Sequence, residues 1–441
     1  MNLEDPRVGR MYLEHVKEWF SALYHQVWRR NVMRSGWVTG FLLGCVLVGL
    51  TIGYREHMRG NFHKLKAEMA DAREDAPVPR PGGQEAVSLI RTRLMGDSTP
   101  EFLSVTMLPG RGMNVLQITA YIPGKGEVNL MASPTVEGAA KAMTGKGEDA
   151  DGRASLTMGS AFEAPWAGRI WGTPIEGGRV ATSWQGQTIT LPSAESGSAS
   201  AVARDGLMLA EPSDSVRTSA LPDGGDTEAT FNAGDFGGRW PSKTQIAITV
   251  LLGGRSIDLT MTARNTGDEP EPIGLGWEPR FAILDGNRRQ LRLRIPGEMR
   301  AEVRNRDKDV PTGVLLPVAG TAYDFTAHSG AKLGTMDLDE CFVALEQNLL
   351  DNGPIAELSD PVSNYGLRLT ALSPTIKAMR VVAPANADFV SIGPQFNYPD
   401  PFGREWEKQT DTGMVVLQPG QSTQWKVRLE LFSLAGGEPP M

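Results

Sequence analysis

Proton transfer near neutral pH falls first to histidine, and this chain spreads its histidines unevenly. Four of the five (His15, His25, His57, His63) precede residue 64, leaving His328 alone in the long remainder. A mechanism that needs two histidines is therefore excluded within one copy of that remainder. The two cysteines, Cys45 and Cys341, lie far apart in sequence, which excludes a disulfide framework and a zinc site of several cysteines. No glycine-rich phosphate loop opens a helix. The net charge of −8 is spread along the chain with no clustered basic face, so nucleic acid is not an expected partner. Neither a cofactor nor a metal site is expected from these residues.

The elements that must position any such chemistry read as strands. Apolar residues make up 40% of the 441, and the 50 glycines and 30 prolines favour many short strands joined by turns over a helical bundle. Ile246, Ile248, Val250 and Leu252 alternate with small or polar residues, Gly253 and Gly254 turn the chain, and Ile257, Leu259 and Met261 alternate back. That is a hairpin with one buried face. Trp425, Val427, Leu429 and Leu431 repeat the pattern after a turn at Gln418–Gln421. No βα alternation interrupts it. The expected fold over residues 86–436 is mainly β, a large antiparallel β-sandwich. Residues 145–159, rich in glycine and charge, read as a flexible insertion.

The first 85 residues follow a different pattern. Residues 35–54 are twenty positions without a charge, bracketed by Trp37 and Tyr54. As a helix they span roughly 30 Å, the hydrocarbon thickness of a bilayer, and aromatic residues favour its two interfaces. A single transmembrane helix is expected, with the lipid bilayer as a partner. Basic residues flank both ends. The large domain follows the span, which suggests that it lies on the extracytoplasmic (periplasmic) side. Gly36, Gly40 and Gly44 recur every fourth residue, a strip on which two such helices could pack as a homodimer. In residues 1–34, Tyr12, Val16, Trp19, Phe20, Leu23 and Val27 recur at helical spacing, an amphipathic segment suited to a membrane surface. Residues 55–85 read as a charged helix and then a linker, broken by the Pro/Gly run from Ala76 to Gly83.

Several segments of the remainder, in order, resemble the aldose 1-epimerase (galactose mutarotase-like) family. Leu108-Pro-Gly-Arg-Gly-Met113 is similar to its opening strand, and Ala164-Pro-Trp-Ala-Gly-Arg-Ile170 to its P-x-x-N-R-I motif. Gly274-Leu-Gly-Trp-Glu-Pro-Arg-Phe281 resembles G-x-G-x-H-P-Y-F, and Leu338-Asp-Glu-Cys-Phe342 resembles L-D-x-x-F. Between those two, Val310-Pro-Thr-Gly313 and Pro317-Val-Ala-Gly-Thr321 follow the family's P-T-G and P-V-x-G-T. Ile392-Gly-Pro-Gln-Phe-Asn-Tyr-Pro-Asp400 resembles I-E-P-Q-x-x-P-D, and Leu417-Gln-Pro-Gly420 the closing L-x-P-G. The resemblance implies the galactose-mutarotase supersandwich and a mono- or oligosaccharide ligand.

It also implies a reaction, the exchange of α and β anomers of an aldose. That takes a base at the anomeric hydroxyl and an acid at the ring oxygen. The family's base, the glutamate of I-E-P-Q, falls on Gly393, which has no side chain. One family histidine falls on Glu278, and the other on Asp205 of Arg204-Asp-Gly206 by a looser match. Arg169 and Asp339 match the family's sugar-binding arginine and aspartate, and Trp277 could stack on a sugar face. Glu278 reads two ways. In a pocket, burial would raise its pKa and make it a general acid, with Asp205 or Asp400 as base. Paired with Arg280, Arg169 or another cation, it would be structural. The leading expectation is a membrane-anchored, epimerase-like protein that binds carbohydrate with lost or altered chemistry. The alternatives are an active aldose epimerase using Glu278, and a structural subunit of a membrane assembly.

Overall fold

The computed structural model describes residues 78–434, apart from 95, 97, 195–200, 222 and 305–309. The amphipathic segment, the expected transmembrane helix at 35–54 and the charged helix after it lie outside the described residues. Among the described residues no helix is long and apolar enough to cross a membrane.

The compact unit begins at Pro79. Part of the stretch expected as linker is docked onto it, because Pro81 is buried and Gly82 donates its N–H to the Met143 carbonyl at 3.0 Å. Beyond it the alternation becomes two antiparallel sheets. One has twelve strands among the described residues, the other nine. The expected hairpin forms with its register intact, Leu252 opposite Ile257 across Gly253–Gly254. Its apolar positions Ile246, Ile248, Val250, Ile257, Leu259 and Met261 are buried, as are Trp425, Val427 and Leu429 of Ser422–Ser433 beside it. These side chains meet the inner face of the twelve-stranded sheet. Trp425 sets its ring edge-on to Phe162 at 6.2 Å and donates its indole N–H to the Pro394 carbonyl at 3.0 Å. That contact joins the two layers of the sandwich.

Five consecutive neighbours in the larger sheet carry the site: Ser160–Glu163, Gly276–Pro279, Phe389–Gln395, Ala378–Ala383 and Leu338–Leu345. Successive strand residues point to opposite faces, so this segment has an apolar inner face and a charged outer one. Trp277, Phe342, Met379 and Ile392 go inward, while Glu278, Cys341, Arg380 and Asp339 go outward.

Residues 145–159 are not the flexible insertion that their composition suggests. Asp149 is buried against Arg111, which donates to both carboxylate oxygens at 2.9 and 2.8 Å and to the Gly152 carbonyl at 2.9 Å. Arg111 is itself 1% exposed, so this bidentate pair closes the segment over the opening strand. Breaking a buried pair strands the remaining charge at a cost of about 3–5 kcal/mol. Asp149→Ala is expected to lower unfolding stability by about 3 kcal/mol in urea titrations and to open residues 144–152 to limited proteolysis. A loss under 1 kcal/mol would show that the segment is held by other contacts.

Candidate functional site

The Ala164–Ile170 loop delivers Arg169 to the outer face of the large sheet. Asn397, fully buried, braces that loop by accepting the Ala167 N–H at 3.0 Å and donating to the Ala167 carbonyl at 2.8 Å. Arg169–Trp171 then pairs with Val202–Arg204, which places Asp205 at the end of its partner strand. Asp205 takes a left-handed backbone, φ 59°, and donates its N–H to the Gly168 carbonyl at 2.6 Å. Gly206 follows at φ 80°, and a Cβ there would lie 2.3 Å from the Ala164 carbonyl oxygen. Only glycine lets the turn press so closely on the loop.

Four of the five expected site residues meet here. Arg169 donates to Asp339 at 2.8 Å. Arg380, which the sequence did not single out, donates to both oxygens of Asp339 at 3.1 and 3.3 Å and to Glu278 at 3.1 Å, and lies 3.8 Å from Asp205. A second unforeseen residue, Glu163, faces Asp205 and Glu278 from the strand beside Glu278, and accepts the Gly168 N–H at 3.0 Å. Arg380 stands directly across from Gly393 in the sheet, and a Cβ at 393 would lie 3.9 Å from the Glu278 Cα. The Arg380–Glu278 ion pair therefore spans the glycine, over the position to which the resemblance assigns the family's base.

Trp277 is a correction. It is 1% exposed, with its ring 6.3 Å from Phe162 and 6.1 Å from Phe281 in the core. Strand alternation, which turns Glu278 outward, turns Trp277 inward, so it is not available to stack on a sugar. The cation that pairs with Glu278 is Arg380. Arg280 instead sits over the Phe389 ring at 4.4 Å. Asp400 does not face the cluster either. It holds the Arg169 strand from outside, accepting the Trp171 N–H at 2.9 Å and donating its own N–H to the Arg169 carbonyl at 2.7 Å. His328 is exposed in a separate groove with Arg292, Arg294 and Arg368.

A shallow, open cleft with a cavity volume of only about 30 Å³ is lined by Arg169, Asp339, Arg380, Gln395, Cys341 and Pro399 among others. Asp339 is the most accessible of the ionic groups, its side chain 36% exposed against 10% for Arg169 and 13% for Arg380. Glu278, Asp205 and Glu163 do not line it, and Asp205 and Glu163 are almost fully buried. These positions set the protonation states. Burial works against the Asp339 charge, but Arg380 and then Arg169 outweigh it and hold the carboxyl at about 2. Asp205 moves the other way, up to about 6, through burial first and then the neighbouring Glu278. Burial first, then Asp205 and Glu278, raise the Glu163 carboxyl well above its usual range. Burial pushes the Cys341 thiol to about 12, which makes it a neutral wall and not a nucleophile.

The unfolded chain releases the Asp205 proton near 3.8 and the folded one near 6, so the folded state binds more protons in that window and stability falls as pH rises through it. Asp339 has the opposite sign: its contribution is complete above about 4 and is lost as pH falls toward 2. Asp205→Asn keeps the left-handed backbone that asparagine tolerates and removes the strained charge. In chelator-treated buffer it is expected to raise stability at pH 8 by on the order of 2 kcal/mol and to change little at pH 4. Equal effects at both pH values would contradict the assignment.

Comparison with known proteins agrees with this architecture. No curated protein sequence matches the chain. A galactose mutarotase-like protein from Clostridium acetobutylicum superposes with a TM-score of 0.61 at 15% identity, covering 78% of this chain and 95% of that one. A galactose 1-epimerase from Lactobacillus acidophilus superposes at 0.55 with 16% identity, over 79% of this chain and 99% of its own. An aldose epimerase homologue from C. elegans gives 0.56 at 15% identity, with 79% and 99% covered. At such identities the likeness speaks for the fold alone. The aldose 1-epimerase sequence pattern matches residues 153–430, more than half of the chain, and the chain belongs to that family.

Proposed function

We propose that this protein binds a mono- or oligosaccharide in the Arg169–Asp339–Arg380 cleft and that its epimerase chemistry is lost or altered. The observation that carries this reading is the state of the carboxylates. Asp339, the carboxylate that lines the cleft, is held at about 2 by two guanidinium groups, so it accepts hydrogen bonds from hydroxyls but is a poor base. Asp205, whose carboxyl at about 6 would suit proton transfer better, is 3% exposed, and its neighbour Glu163 is 2% exposed. Arg169 offers planar N–H donors to ring and hydroxyl oxygens. The uncharged residues 35–54 support a second element of the proposal, a tether that holds the domain at a bilayer on the extracytoplasmic side.

An active epimerase remains the second reading, and Glu278 favours it, because its Cα lies 3.9 Å from where a Cβ at 393 would sit. Freshly dissolved α-glucose or α-galactose separates the two. By proton NMR the full chain is expected to give saturation transfer to the sugar without accelerating anomer equilibration. Arg169→Ala and Asp339→Ala are each expected to weaken binding about tenfold, the size of one charge-assisted hydrogen bond. Acceleration that Glu278→Gln abolishes would establish the active reading. Absence of sugar binding, with Arg169→Ala altering stability alone, would leave a structural subunit. For the tether, alkaline carbonate is expected to leave the full chain in the membrane pellet and to release a chain starting at Pro79.

A further inference from the structure

We propose that Glu163, Asp205 and Glu278 form a binding site for a hard divalent cation, calcium or manganese, on the protected flank of the cleft. One oxygen from each carboxylate lies within 4.8 Å of the other two. Donors on opposite sides of a calcium ion, with bonds of 2.3–2.6 Å, are about 5 Å apart, so the three already fit one coordination sphere. They come from separate elements: Glu163 and Glu278 from adjacent strands, Asp205 from the glycine-locked turn. The site is therefore built by the fold and does not depend on one mobile loop.

Proximity of carboxylates alone would not assign a ligand. The second observation is what their oxygens lack. Glu163 is 2% exposed and spends Oε2 on the Gly168 N–H, while Oε1 has no hydrogen-bond partner. Asp205, 3% exposed, has no hydrogen bond at Oδ1 and meets Arg380 only at 3.8 Å. Buried carboxylate oxygens without partners are costly, and folded proteins seldom leave them so. Both residues with an orphaned oxygen belong to the converging set.

The charge balance points the same way. Arg380 lies within ion-pair distance of Asp205 and Glu278, and Asp339 already engages it through two hydrogen bonds. Arg280 and Arg204 act only at longer range, the first over the Phe389 ring and the second exposed to solvent. With Arg169 included, four carboxyl groups gather around two guanidinium groups, two negative charges in excess when all four are ionised. Burial raises the Glu163 pKa strongly in the absence of a counter-ion. A divalent ion would remove both the excess charge and the orphaned oxygens. An all-oxygen, anionic set selects hard cations over zinc or copper, which prefer nitrogen and sulfur. This site is independent of the sugar-binding reading, because its groups do not line the cleft.

The test uses the full chain, stripped with EDTA and dialysed. Calcium or manganese chloride at 1 mM is expected to raise the melting temperature by several degrees, and manganese EPR is expected to report one bound ion per chain. Glu163→Gln is expected to weaken manganese binding at least tenfold while leaving the metal-free melting temperature equal or higher, because it removes a buried charge. Should that variant not fold, Asp205→Asn read by terbium luminescence gives the same comparison. No response of the wild type to either ion, or an undiminished response in the variant, overturns the proposal. So does a melting temperature that rises only with acid and never with cation, since a proton then occupies the cluster.

Discussion

The outer face of the larger sheet depends on one buried guanidinium. Arg380 takes Asp339 through Nε and Nη2 and Glu278 through Nη1, and lies near Asp205. A charge this deep is tolerated only when paired and hydrogen-bonded, and removing any partner leaves a desolvated ion. Its fork geometry suits the task, because a planar guanidinium presents several donors in fixed directions. The same residue divides the carboxylates. Asp339, on the cleft side, is held ionised by two arginines. Glu163 and Asp205, on the far side, are crowded by burial and by Glu278 toward protonation or a counter-ion. Two chemical environments thus arise within a few ångströms from the placement of one side chain.

The scaffold explains why that placement is rigid. Arg380 stands on an internal strand with Gly393 opposite on one side and Cys341 opposite on the other. Beneath it, Met379 and Val381 point into the core that Trp277, Phe162 and Trp425 fill. Core packing fixes the strand register, and register fixes which outward residues meet. A slip of one position would bury Arg380 in the sandwich and expose Trp277.

Legibility in the sequence follows the same division. Period-two alternation exposed the hairpin at 244–265 and the closing strand, because one face of each is buried. Arg169 and Asp339 were legible because each sits in a recognisable local string. Arg380 and Glu163 were not. Ala-Met-Arg-Val-Val-Ala reads as a strand with one solvated charge, and nothing local says that residues 205, 278 and 339 converge on it. Glu163 lies just before a motif and looks like a strand end. The Arg111–Asp149 pair was hidden for the same reason, since it joins residues 38 positions apart in a stretch whose composition suggests mobility. Trp277 shows the converse: being next to a site residue in a strand places it on the opposite face.

Gly393 and Arg380 must be read together. A Cβ at 393 would come within 3.0 Å of the Trp277 carbonyl oxygen, so any larger residue there requires the Gly276–Pro279 strand to yield by a few tenths of an ångström. A carboxylate side chain would also project into the space that the Arg380–Glu278 pair crosses. Glycine at 393 is thus what allows the pair to close, and the pair in turn satisfies Glu278, which would otherwise be a half-buried charge beside Asp205. An acidic residue at 393 alone would add a fourth carboxylate to Glu163, Asp205 and Glu278 around a single guanidinium. Glycine at 393 and the ionic network around it are one structural state, and an acidic side chain there would require the Arg380–Glu278 pair to be remade.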